Sequence, residues 1–134
     1  MELLTIVNWW AIIVASLVSF VIGWPWYGPL FGTAWLDALG KSADEIQPSP
    51  KPFIISLVTT LITAFVMAVL IVALNINTWS DGALLGLFVG IGFIAASNIS
   101  DAAFCGWSWK LVAIQSGYRV LYSVIMGVIL GVWQ

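Results

Sequence analysis

Two ionised side chains interrupt runs that are otherwise apolar: Asp101 and Arg119. A guanidinium at mid-membrane costs about 2.5–3.5 kcal/mol on insertion scales, so Arg119 has to face protein or water and find a partner there. Three readings are open. Arg119 pairs with Asp101 or Asn98 as a structural lock, since a buried polar pair can fix registry. Alternatively, it lines a cavity that binds an anion or moves a proton or solute. In the third reading its long side chain simply snorkels to the nearest interface. Asn98, Gln115 and Ser97 lie between the two charges in sequence and would complete a polar network. Tyr122 is near enough to Arg119 on a helix to stack or hydrogen-bond. Asn8, opening the first apolar run, is the remaining polar candidate.

These residues do not point to catalysis. Cys105 has no histidine to activate it, because the chain contains none. No group of residues has metal-ligand spacing, and no cofactor motif is present. Asp101 alone is too little for a general base. Four Lys and Arg residues make no basic patch, which excludes nucleic acid as a partner.

The elements that must position Arg119 and Asp101 follow from composition. The 134 residues suffice for one domain and are 62% hydrophobic and 7% charged. A soluble domain carries about 25% charged residues to face water, so most of this surface is expected to face lipid. A crossing helix needs about 20 apolar residues, and four runs meet that: 3–23, 53–74, 83–104 and 111–133. They lack the alternation of barrel strands. The expected fold is all-α: an integral membrane four-helix bundle making one transmembrane domain over residues 1–134. The first run is too long, and Glu2 has the wrong sign, for a cleaved signal peptide. Pro25 and Pro29 are expected to follow span one, and Pro48, Pro50 and Pro52 to precede span two. Ser80 is expected to cap span three with Asp81 at its positive dipole end, and Gly106 to separate spans three and four.

Segment 27–51 is the one sizeable piece outside the spans. Trp35–Leu39 followed by Gly40 reads as a short interfacial helix with a glycine stop, and Ser42–Glu45 has a capping-box pattern. All nine Trp lie at span ends or in this segment, as interfacial side chains should. Lys41, Lys51 and Lys110 fall on one side. The expected protein is therefore a multi-pass component of the cell membrane, with both termini outside and segments 24–52 and 105–110 cytoplasmic.

Between lipid-immersed helices, packing depends on small residues. Gly82, Gly86 and Gly90 form a stripe on span three, and regular helical spacing continues that face to Ser97 and Asp101. Span four offers Ser116, Ser123, Gly127 and Gly131. Span one offers Asn8, Ala11, Ala15, Ser19 and Gly23, and span two Ser56, Thr60 and Thr63. Such faces suit packing within the chain. They also suit a homo-oligomer, or another membrane protein as partner.

Asn8-Trp9-Trp10-Ala11, then Gly23-x-x-x-Tyr27-Gly28-Pro29-Leu30-Phe31 with Trp35, and later Gly117-Tyr118-Arg119 leading to Gly127 and Gly131, resemble the bacterial and fungal family filed as domain of unknown function 1761. The resemblance covers nearly the whole chain. It implies a small polytopic membrane protein and brings no activity, substrate or site. The exit Trp24-Pro25-Trp26-Tyr27 has an extra proline that is expected to kink it differently from relatives.

The reading that asks least of these residues is a structural or accessory, oligomer-forming membrane component. The alternative is an oligomeric transporter or channel for a small solute, anion or proton, with its polar site around Arg119 and Asp101. Small proton-coupled exporters of this length carry a carboxylate deep in an early span, and spans one and two have none beyond Glu2. A cavity reaching Arg119 would separate the two.

Overall fold

The computed structural model of the chain describes residues 2–42 and 49–134. Four of its helical stretches, Trp9–Leu30, Pro50–Ala73, Trp79–Cys105 and Trp109–Val132, are long and apolar enough to cross a membrane. The described residues form no strand.

Each stretch begins where a side chain satisfies the orphan N–H groups of a first turn. A short helix α1 (Leu3–Ile6) stops at Val7, and α2 (Trp9–Pro25) starts afresh. Asn8 Oδ1 accepts from the backbone N–H of Trp10 at 3.1 Å and Ala11 at 3.2 Å. The first span therefore starts at Trp9, not Leu3. It also runs through the two prolines expected to follow it. Pro29 has no N–H and crowds the carbonyl four residues back. The chain absorbs this by widening into a π-helical segment, Trp26–Leu30, where Phe31 N–H donates to Trp26 O, five residues back, at 2.9 Å. Helix α3 (Gly32–Leu39) then packs against that segment and the last span and stops at Gly40, whose φ of 71° is left-handed. The capping pattern at Ser42–Glu45 falls outside the described residues from Ala43 on, as does Pro48.

Helix α4 (Pro50–Ala73) starts three residues earlier than the apolar run suggests. Its prolines sit in the first turn, where an N–H has no partner to lose, and Ser49 caps it. Helix α5 (Trp79–Val89) is capped by Thr78, whose Oγ1 accepts from Asp81 N–H at 3.2 Å; Ser80 lies inside the helix. A second π-helical segment, Gly90–Ala95, joins α5 to α6 (Ala96–Cys105), and Gly106 closes the stretch at φ 73°. Helix α7 (Trp109–Val132), capped by Ser108, completes the bundle.

Helix α7 is the hub. It packs against α2, α4 and the α5–α6 stretch, whereas α5–α6 lies along α7 and barely touches the rest. The core sits among α2, α4 and α7, with Ile12, Met67, Ile71 and Met126 fully buried. The α5–α7 contact is made by glycine. A Cβ on Gly82 would run into the carbonyl oxygen of Gly127, one on Gly86 into that of Ser123, and one on Gly90 would stand 2.9 Å from Val120 Cα. On the α7 side, a Cβ on Gly131 would be 2.7 Å from Thr78 O. The glycine stripe is thus spent inside the chain, and these residues are not open to a second copy.

That stripe does not continue to Ser97 and Asp101. The π-helical segment fits one extra residue into a turn, so everything after it is rotated by about 100°. Asn98 and Ala102 consequently face α7, while Ser97 and Asp101 are exposed on the outer flank. Large apolar side chains such as Phe88, Phe93 and Phe104 cover the same flank.

Candidate functional site

Arg119 is half-buried on α7, and it faces α4 rather than α6. The residues α7 turns toward α5–α6 are Ser116, Val120, Ser123 and Gly127; Arg119 lies off that line. Among the described residues, its guanidinium has no hydrogen bond or ion pair. The expected lock with Asp101 or Asn98 is absent for a reason of phase. Asp101 points outward, and Asn98 Nδ2 donates to Ser116 Oγ at 3.3 Å. Gln115 is half-buried and makes no side-chain hydrogen bond among the described residues. Asn8 is a helix cap at the opposite end of the bundle, where it also borders a small cavity of about 130 Å³ with Gln134 and Ile71.

What Arg119 does border is a cavity of about 620 Å³ between α4, α7 and the end of the first span. Helix α7 supplies Tyr118, Arg119 and Tyr122; the first span supplies Tyr27; α4 supplies Lys51, Pro52, Ile55, Ser56, Thr59 and Thr60. The cavity exists because α4 packs through its second half. Ala64, Met67, Ala68 and Ile71 are buried, whereas before Thr60 no residue of α4 is. The first turns of α4 therefore stand away from α7 and leave the space.

Two cations, Lys51 and Arg119, border this space, and no carboxylate does among the described residues. The hydroxyls divide into two groups. Thr59 and Thr60 donate to Ser56 O at 2.9 and 2.6 Å, and Tyr118 donates to Ser19 O at 2.7 Å. The hydroxyls of Tyr27, Tyr122 and Ser56 make no hydrogen bond among the described residues. Tyr122 is only 4% exposed and borders the cavity.

Aromatic contacts line one side of the cavity. Tyr118 packs edge-on against Tyr27 and Tyr122, with ring centroids 5.4 and 5.0 Å apart. Trp26 packs against Phe31 at a tilt, with ring centroids 4.5 Å apart, and its Nε1 donates to Ile114 O at 2.9 Å. Two glycines make room for this cluster. A Cβ on Gly23 would lie 3.0 Å from Tyr118 Oη, and one on Gly117 would lie 3.0 Å from the Trp26 ring. The Gly23–Trp35 run and the Gly117–Arg119 run, far apart in sequence, therefore pack on each other to form one side of the cavity. Trp35 closes the cluster edge-on to Tyr27 at 5.1 Å, with its Nε1 buried and unbonded among the described residues. Below it, Lys110 Nζ pairs with Asp37 Oδ2 at 2.7 Å and ties α3 to the start of α7. Lys110 holds the exposed Asp37 carboxyl below its usual range, by hydrogen bonding first and by charge second.

Sequence reasoning singled out Arg119 and Tyr122 but missed the α4 wall. Lys51, Ile55, Ser56 and Thr59 recur at helical spacing, which puts a cation and hydroxyls on one face. That periodicity was the available signal, and it reads equally as a packing face. The described residues hold no cluster of His, Cys, Asp and Glu able to bind a metal.

No curated protein and no solved structure matches the chain. Residues 10–131 match the family described as protein of unknown function (DUF1761), and the chain belongs to that family.

Proposed function

We propose that this protein is a multi-pass membrane component that binds an anionic group at Arg119, as a solute carrier or a headgroup receptor rather than a passive spacer. One observation carries the reading: a half-buried arginine in the middle of a span borders a cavity of about 620 Å³ and has no acidic partner among the described residues. An intramembrane arginine must be paired or hydrated. With Asp101 turned away, the partner that best fits is a bound anion. The accessory reading asks only for packing faces and interfacial Trp; the cavity at Arg119, without a contact to Asp101 or Asn98, favours the alternative. The proposal includes no catalytic step and no cofactor. It places the cavity in the cytoplasmic half of the bilayer, because Lys41, Lys51 and Lys110 share that end.

The test is thermal unfolding of the purified full chain in detergent, with phosphate, carboxylates and short-chain anionic lipids added in turn. A ligand that binds only the folded state raises its stability in proportion to log concentration above Kd. At least one anion should raise the melting temperature of the wild type and not that of Arg119→Gln. If no anion shifts the wild type, or the variant shifts equally, the reading falls.

A further inference from the structure

Resting on that anion-binding reading, we infer that the Arg119 cavity takes the phosphate of a membrane amphiphile that slides in sideways between α4 and α7, its acyl part staying in the bilayer. The mouth is the first observation. Pro52, Ile55 and Thr59 border the cavity and are exposed, on a helix apolar enough to cross a membrane. The opening is therefore a slot in the flank of the bundle, at a depth where lipid lies.

Size is the second. A water molecule takes about 30 Å³ of liquid, so a bare inorganic ion fills little of a space of about 620 Å³. A headgroup with the first atoms of its chains fills it far better. The third is the donor set. Arg119 offers a planar fork suited to two oxygens of one group. Lys51 adds a second positive charge in the first turn of α4, and the free hydroxyls of Tyr27, Ser56 and Tyr122 approach from three elements. A carboxylate has two oxygens to share among these donors, whereas a phosphate ester has more. Basic pockets between transmembrane helices are a recurring receptor for such headgroups.

The experiment is native mass spectrometry of the full chain in detergent, equilibrated separately with phosphatidylglycerol, phosphatidylcholine, oleate and glycerol phosphate. Phosphatidylglycerol should stay bound in preference to oleate and to phosphatidylcholine, and millimolar glycerol phosphate should not displace it. Arg119→Gln should lower its retention by about tenfold or more, the loss of a charge-assisted contact. Lys51→Gln, at the exposed rim, should lower it by a smaller factor and serves if Arg119→Gln does not fold. Displacement by glycerol phosphate would overturn lateral access while leaving anion binding at Arg119 intact. Equal retention of oleate would overturn the phosphate class alone. Folded variants that keep every probe as the wild type does would overturn this inference together with the reading it rests on.

Discussion

The hydroxyl of Tyr118 donates to Ser19 O at 2.7 Å between α7 and α2, whereas that of Tyr122, on the same helix and at the border of the cavity, is unbonded among the described residues. Removing each has a different expected result. Tyr118→Phe should lose about 0.5–1.5 kcal/mol of stability, read as a lower midpoint in detergent unfolding. Tyr122→Phe should leave stability within about 0.5 kcal/mol and weaken anion binding instead. A destabilised Tyr122→Phe would show that its hydroxyl is structural. At this scale the sequence drew attention to Arg119, and through it to Tyr122, two residues that border the cavity, because a charge in an apolar run is conspicuous. It could not identify their surroundings. Which neighbouring helix a mid-span side chain faces depends on rotation about the helix axis, and an apolar run carries little information about that angle.

Helix existence was plain from the apolar runs, and helix ends less so, because caps are made by single side chains: Asn8 and Thr78 displaced the starts inferred from hydropathy. Of the two π-helical segments, Trp26–Leu30 has a signal in Pro29, whereas Gly90–Ala95 was invisible, since no residue type demands one in an all-apolar stretch. The Gly90–Ala95 segment decides where Asp101 points. Glycine contacts give a sharp test of the α5–α7 pairing. Gly82→Ala should cost about 1–3 kcal/mol by overpacking, since its Cβ meets the backbone of Gly127. Gly92→Ala, which meets nothing within 4 Å, should cost nothing in the same unfolding measurement. Helix α3 offers a test by pH. Because Lys110 depresses the folded pKa of Asp37, their contact stabilises above the unfolded carboxylate pKa and is lost as pH falls through the lowered folded value. Amide exchange in α3 should therefore speed up relative to the other helices only under strongly acidic conditions. Lys110→Met should exchange fast already at neutral pH and remove that dependence.

For the molecule as a whole, the bundle is organised around α7, with α2 and α4 on one side and α5–α6 as an outer flank. Orientation is accessible through the single cysteine. Cys105 is free and exposed at the end that carries Lys51 and Lys110. With that end inside the cell, a membrane-impermeant maleimide should label Cys105 only after permeabilisation; labelling of intact cells would reverse the assignment. The wide turn at Gly90–Ala95 also sets how this chain tolerates changes in length. Deleting one residue there would restore ordinary winding and leave the rest of the stretch in phase, with Asn98 and Ala102 still against α7, because the wide turn holds one residue more than the α-turn it replaces. A substitution edits one contact, whereas a single deletion at this point is taken up by the turn itself. Relatives one residue shorter here would keep the same face against α7 and present the same polarity outward, their difference in length confined to this turn.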